Sequence, residues 1–316
     1  MNKNNNLEEL ECYQIIVDEK SVNERIDKFL SSKFDNYSRN YIQDLIKENY
    51  VFVNNLIVKA SYKVQLNDEI VIYFKEDETL AIKPENIDID IVYQDEDVAI
   101  INKAAGMVVH PSPGHYEHTL VNAILYHIKD LSSINGIIRP GIVHRLDMDT
   151  SGLICIAKND YAHNFLAEHL KDHTMKRTYY AIVKGIVESK KGIIKTLIGR
   201  DPKNRLKMAV VNDLGKEAIT EFEVVDTYDN KYSLLKLNLQ TGRTHQIRVH
   251  LDFIKHPIVN DMLYGINNKI DYSCPLLLHA SKLEFIHPKS KKLVSFEIAL
   301  PERFNKAIDF IKNKNQ

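Results

Sequence analysis

From Ile87 to the C-terminus the chain is a series of short apolar runs cut apart by turn residues. "IDIDIVYQDEDVAIINK", "GLICIAKND", "TYYAIVKGIV", "AITEFEVVDTY", "YSLLKLNLQTGRT" and "KLVSFEIAL" are the clearest of them. Runs this short, bounded by Gly, Asn and Asp, read as strands. Only a few segments show helical spacing, notably Thr119 to Ile128, Asp160 to His173, and Thr244 to about Ile254. These do not alternate with strands in a βαβ beat. The pattern therefore predicts an α+β fold on a mixed, largely antiparallel β-sheet with flanking helices, rather than a doubly wound parallel sheet.

The N-terminal part has a different texture. Val22, Ile26, Phe29 and Leu30 mark one face of a helix, with Ser21 and Glu24 at capping-box spacing. Tyr41, Ile42, Leu45 and Ile46 mark a second helix, capped by Ser38. "YVFVNNLIV" predicts a hairpin turning at Asn54-Asn55, because Asn tolerates positive φ. "LNDEIVIYF" supplies another strand. The expected organisation is a polar N-terminal extension over 1–19, a helix-helix-hairpin unit over 20–75, a charged linker over 76–87 containing Pro84, and a large domain over 88–316.

Composition narrows the classes. Among the 316 residues, 44% are hydrophobic and 27% charged, ordinary for a globular chain, and the formal net charge of −1 means any basic surface is local. Three cysteines, Cys12, Cys155 and Cys274, lie far apart with no C-x-x-C spacing, which predicts neither a zinc site nor a disulfide framework. The polar start carries no signal-peptide core and no apolar run reaches membrane-spanning length, so the expected location is cytoplasmic, with no membrane partner.

Against that background "VHRLDMDTSGL", Val143 to Leu153, stands out, because it places polar residues directly before an apolar strand. Asp149-Thr150-Ser151-Gly152 is turn chemistry. Ser151 lacks the G-x-S-x-G setting of a nucleophile. Asp147 and Asp149 come close to the D-x-D-x-[TV] signature of Mg²⁺-dependent phosphatases, but Ser151 and the His144-Arg145 approach depart from it. His169 and His173 are spaced i,i+4 without H-E-x-x-H, so no metal site is predicted.

More of the chain is used by another pattern. H-R-L-D-x-x-T-S-G-[LI] before an apolar strand resembles the central motif of pseudouridine synthases of the large-subunit ribosomal RNA type. "DEDVAIINKAAGMVVHPSPGHYEHTLVNAILYH", "GIIRPGIVHRLD", "KRTYYAIVKG" and "LQTGRTHQIRVHL" resemble that family's other blocks, in its order. The departures are Ala104 for the usual Pro and Met148 where relatives often carry Lys. At the N-terminus, Arg25-Ile26-Asp27, Ser38-Arg39 and "LIKENYVFVNN" resemble the small RNA-binding module of a small-subunit ribosomal protein and tyrosyl-tRNA synthetases, with Asn49 and Asn55 replacing glycines.

The resemblance implies isomerisation of specific uridines to pseudouridine in structured RNA, without a cofactor or metal. The implied partner is large-subunit ribosomal RNA or a pre-ribosomal particle. A non-catalytic RNA-binding or ribosome-assembly factor on the same fold is the alternative. By resemblance, Asp147 is the essential carboxylate, Tyr179 lies against the uracil and takes part in late proton transfer, and Ile247 walls the base. Arg248 is the expected cation beside Asp147, with Arg243 second, and Arg145 occupies the gap left by the flipped nucleotide. Gln246 belongs to the same substrate loop, where with His245 it is expected to order rather than react. Arg25, Lys28, Arg39 and Lys59 are expected on RNA phosphates. So are the clusters Lys171, Lys176, Arg177 and Arg200, Lys203, Arg205, Lys207.

Overall fold

The computed structural model describes residues 12–34, 39–74, 82–111, 117–132, 134, 140–204, 206–265, 269, 270 and 272–313. The chain divides between Ala81 and Ile82 into two compact units.

The first unit runs β1 (Cys12–Ile16), a 3-10 turn (Glu19–Ser21), α1 (Ile26–Lys33), α2 (Arg39–Lys47), β2 (Val51–Val53), β3 (Leu56–Ile57) and β4 (Glu69–Tyr73). The strands form one sheet in the order β1-β4-β2-β3, and the recorded pairs are antiparallel. Ile26, Phe29 and Leu30 of α1 and Ile42, Leu45 and Ile46 of α2 bury against Val51, Val53, Ile70 and Ile72. The hairpin turns where expected, with Asn54 and Asn55 at φ of 50° and 64°, and Asn49 takes φ 65° just past α2.

Two details differ from the sequence reading. β1 lies inside the stretch expected as an extension, because its backbone pairs with β4 while most of its side chains stay in solvent, which hides it from a search for apolar runs. Ser21 does not cap α1 either. Asp18 accepts from the Ser21 N–H to close the 3-10 turn, Asn23 reverses the chain at φ 67°, and α1 starts at Ile26. Ser38 lies outside the described residues.

Asp27 organises this unit. Its carboxylate is fully buried and accepts from Arg25 (3.1 and 3.0 Å), Arg39 (3.3 and 3.0 Å) and Gln43. Burial by itself would raise its pKa, but these donors bring it down to about 2. Arg25 and Arg39 remain half-exposed beyond their shared anchor. Lys28 pairs with Glu24, and Lys59 is exposed.

The second unit runs β5 (Asp90–Gln94), β6 (Val98–Lys103), α3 (Leu120–His127), β7 (Ser151–Ala157), α4 (Asp160–Lys171), β8 (Lys176–Lys184), β9 (Lys191–Arg200), β10 (Met208–Val211), β11 (Lys216–Tyr228), β12 (Tyr232–Leu239), α5 (Gln246–Phe253), β13 (Leu278–Ile286), β14 (Leu293–Glu297) and α6 (Glu302–Asn313). One sheet takes the order β10-β9-β11-β12-β8-β13-β7-β6-β5, with β14 beside β13. β13 and β7 are parallel, and the other recorded pairs are antiparallel, as the α+β reading expects.

β7 is buried along its whole length because both its faces are covered. Ile154 and Ile156 join the core containing α3 and α6, through Leu120, Ile124, Phe304, Ala307 and Ile311. Leu153, Cys155 and Ala157 join the core containing Ala162 and Leu166 of α4. The unit begins earlier than the expected linker end. Ile82 packs into the core and the Lys83 carbonyl accepts from Asn122, burial that the charged composition around Pro84 concealed. β9, β10, β13 and α6 were not read from the sequence.

Asp27 gives the first unit a defined acid response. A carboxyl whose pKa is depressed on folding contributes stability above its unfolded value near 4, and that contribution is lost as pH falls toward about 2. Asp27→Asn should cost about 2 kcal/mol at pH 7. It should also flatten the stability profile between those limits, read by hydrogen exchange at the α1 amides against pH.

Candidate active site

Sequence chemistry brings two loops together on the second unit. The first links Ile142, which bridges to Ile156, to the start of β7. Within it the Thr150 N–H donates to the Asp147 carbonyl at 3.1 Å, so Asp147 itself opens the turn, two residues earlier than the sequence suggests. The second loop follows β12 and leads into α5, with His245 at the N-cap in the left-handed conformation, φ 56°. Both loops line one cavity of about 540 Å³, together with Tyr179, Arg177 and Leu278 from the sheet.

The loops meet through charge. Arg248 Nη1 reaches a carboxylate oxygen of Asp147 at 3.3 Å. The rest of the guanidinium is committed to Asp261, with Nε and Nη2 donating at 2.7 and 2.8 Å. Asp261 is 2% exposed and Arg248 8%, so the cation sits between two carboxylates with little water. Burial opposes the charged form of Arg248, but Asp261 first and then Asp147 outweigh it and drive the pKa up. The Arg248 guanidinium also lies 5.0 Å above the Tyr264 ring.

Other groups hold the turn in place. The Lys103 ammonium, 1% exposed at the end of β6, donates to the carbonyls of Ala104, Met107 and Met148 at 2.8, 2.8 and 2.9 Å. Burial lowers its pKa to about 7, although Asp147 and Asp149 favour the charged form. His144 Nε2 accepts from the Cys155 N–H at 3.0 Å, tying the motif to β7, and burial, aided by Arg177, pushes its pKa down to about 3. Ser151 Oγ lies 2.7 Å from His279 Nδ1 and accepts from Arg303 at 2.6 Å, a brace to β13 and α6 rather than a nucleophile's setting.

The structure brings most of the expected site residues together. Asp147, Tyr179, Arg248, Arg145, Ile247, Arg243 and Gln246 all line the cavity. Tyr179 and Ile247 are buried, at 5% and 4% exposed, and Arg145 is exposed. Burial pushes the Tyr179 phenol up in pKa, Arg177 opposes that rise, and Asp147 adds to it. Arg243 turns elsewhere, its Nε donating to the Glu217 carbonyl at 2.8 Å, and Arg248 makes the pair with Asp147. Gln246 spends its amide on the loop. Its oxygen accepts from Thr241 and the Arg243 N–H at 2.8 and 2.9 Å, and its nitrogen donates to Ile219 and Thr220 at 3.0 and 2.9 Å. Asp147 lines the cavity and Asp149 does not.

Of the basic clusters, Lys171 and Arg177 line the cavity, Lys207 lies 5.6 Å over the Tyr264 ring, and Arg205 is outside the described residues. Sequence reasoning missed Lys103, Asp261 and Tyr264. A buried arginine demands a carboxylate, but nothing in "VNDMLYG" says which distant strand or loop it serves.

A carboxylate held by a buried arginine lines a sheet-borne cavity, and a separate small unit carries two half-exposed arginines on a buried aspartate. Residues 97–253 match the RNA pseudouridylate synthase family, and residues 24–70 match the S4 domain. An uncharacterised RNA pseudouridine synthase, YlyB, of Bacillus subtilis is 45% identical over 298 residues, covering 94% of this chain and 97% of the relative. The ribosomal large subunit pseudouridine synthase D of Zymomonas mobilis is 39% identical over 300 residues, covering 92% and 94%. Among solved structures, human RNA pseudouridylate synthase domain containing 1 shares the fold, with a TM-score of 0.55 and 22% identity over 71% of this chain and 96% of that one. The chain belongs to the RNA pseudouridine synthase family, and it isomerises uridine in RNA. No helix among the described residues is long and apolar enough to cross a membrane.

The glycine of the motif is a packing requirement. Gly152 takes φ 115°, and a Cβ there would lie 2.1 Å from the Ala280 carbonyl oxygen across the parallel β7–β13 pair. Gly152→Ala should lower stability by about 3 kcal/mol, from backbone strain together with the forced strand separation. Thermal unfolding measures it.

Proposed function

We propose that the cavity binds a flipped uridine of large-subunit ribosomal RNA and that Asp147 performs the chemistry. The observation that carries this reading is the Asp147–Arg248 pair inside a cavity walled by Tyr179 and Ile247. An arginine fixed by a second carboxylate orients Asp147, as a base or nucleophile at the ribose–uracil junction requires. The C1′–N1 bond breaks and C1′–C5 forms, while N1 gains a proton and C5 loses one. This rearrangement is redox-neutral and adds no atoms, so the reading assigns it no cofactor or metal.

Tyr179 lies against the base and serves the late proton transfer at C5, and Ile247 closes the other side. Arg145, exposed at the cavity, fills the gap left by the flipped nucleotide, whose unstacking costs a few kcal/mol. Arg25, Lys28, Arg39 and Lys59 of the first unit hold phosphates, with Arg25 and Arg39 already oriented by Asp27. The ribosomal target rests on relatives named for the large subunit at 39% to 42% identity. A pre-ribosomal particle is the form of that RNA we assign as partner, and the cytoplasm as its location.

Mapping pseudouridines in ribosomal RNA from cells lacking the gene should reveal lost sites. Wild type should restore them, and Asp147→Asn should not, with a fall in rate of at least about 10⁴-fold; restoration by the Asn variant would refute the role of Asp147. RNA affinity should drop steeply with salt, and Arg25→Ala with Arg39→Ala should shallow the slope of log affinity against log salt by about 2.

A further inference from the structure

His245 and Tyr264 have no part in the reading above, yet both belong to the walls of the charge pair. His245 lines the cavity at the N-cap of α5, one turn before Arg248 and two residues before Ile247. Its Nδ1 lies 2.9 Å from the Tyr264 phenol oxygen. That oxygen also accepts the Met208 N–H at 2.8 Å. A phenol carries one proton, and His245 Nδ1 lies within reach to accept it. Burial raises the Tyr264 pKa to about 12, so the phenol is protonated at neutral pH.

The opposite tautomer is electrostatically poor. It would put the proton on Nδ1 and leave a bare Nε2 lone pair on a side chain that feels the negative charge of Asp147. With Nδ1 accepting, Nε2 carries the hydrogen, on a ring that lines the cavity. The Tyr264 ring is itself fixed. Arg248 lies over it, and the Tyr264 N–H donates to Asp261, which clamps Arg248, at 3.0 Å. Asp261, Arg248, Tyr264 and His245 therefore form one rigid assembly around Asp147.

We propose that Tyr264 locks His245 as its Nε2–H tautomer and that this N–H donates to an oxygen of the flipped uracil, holding the ring while it is detached from the ribose. The proposal rests on the uridine-binding reading of the cavity. An uncharged donor suits the step, because negative charge grows on the uracil oxygens as the C1′–N1 bond breaks, and a preorganised N–H stabilises it most at that moment. Burial lowers the His245 pKa, which agrees with a neutral ring. His245 is then a catalytic residue and Tyr264 a positioning residue acting through it.

Two measurements on the full-length protein test this. Nitrogen-15 NMR of the histidine rings, without RNA, should show His245 as the Nε2–H tautomer in wild type and a mixture in Tyr264→Phe, which keeps the ring beneath Arg248. An Nδ1–H signal in wild type, or no change in Tyr264→Phe, overturns the lock. Single-turnover pseudouridine formation on unmodified large-subunit ribosomal RNA transcribed in vitro is the second measurement. His245→Gln keeps an amide donor near the Nε2 position and should stay within about tenfold of wild type. His245→Asn, with its amide at the Nδ1 position, should lose about 100-fold, and RNA affinity should change less than about threefold in both. Equal losses in the two variants, or a loss confined to affinity, overturn the donor role. An inactive wild type on every RNA tried would instead refute the uridine reading and the donor role with it, while the NMR result would still decide the tautomer.

Discussion

A single guanidinium held between two carboxylates is the constraint around which the catalytic unit is arranged. Arg248 gives two of its nitrogens to Asp261, which is buried, and the third to Asp147 at the cavity wall. Removing ions from water costs several kcal/mol each, repaid only when geometry and hydrogen bonds are both good. Asp261 supplies the bidentate geometry, so Asp147 can remain a single, longer contact with one edge of the guanidinium. The clamp satisfies the arginine, and Asp147 is left less encumbered.

Everything near the pair serves to bring two loops from distant parts of the chain to that distance. Lys103 grips the carbonyl of Met148, His144 grips the backbone of β7, and Gln246 knits the loop before α5 to β11. Gly152 lets β7 and β13 approach closely enough for Ser151 to be braced by His279 and Arg303. Polar residues usually read as catalytic when clustered, but most of these are engaged with backbone. They are the hydrogen-bond partners that irregular buried loops must find.

The first unit solves a similar problem with the same pairing in miniature. Asp27, buried and ionised, holds Arg25 and Arg39 by one side and leaves their other sides in solvent. The near balance of charge in this unit conceals that arrangement, since a count of residues treats an anchoring carboxylate and a free one alike. The R-I-D spacing carried the information: Arg25 and Asp27 meet at the N-terminus of α1, and Arg39 arrives from the start of α2.

Local chemistry was enough to reveal the strand-dominated α+β class, the helix-helix-hairpin and the αL turns at Asn49, Asn54 and Asn55, while the family resemblance implied Asp147, Tyr179, Ile247 and Arg248. Each of these depends on periodicity, on backbone preference, or on an ordered motif within a few residues. β1, β9, β10, β13 and α6 escaped because their apolar faces are partial or their pairing partners lie far along the chain. The geometry of the Arg248–Asp147 pair, the bonds by which Gln246 orders its loop and the turn of Arg243 toward the Glu217 carbonyl were decided by the tertiary structure. So was the whole contribution of Lys103, Asp261 and Tyr264. A sequence shows which side chains carry charge, but how each charge is satisfied depends on burial and on partners a hundred residues away, and these exist only once the sheet has closed.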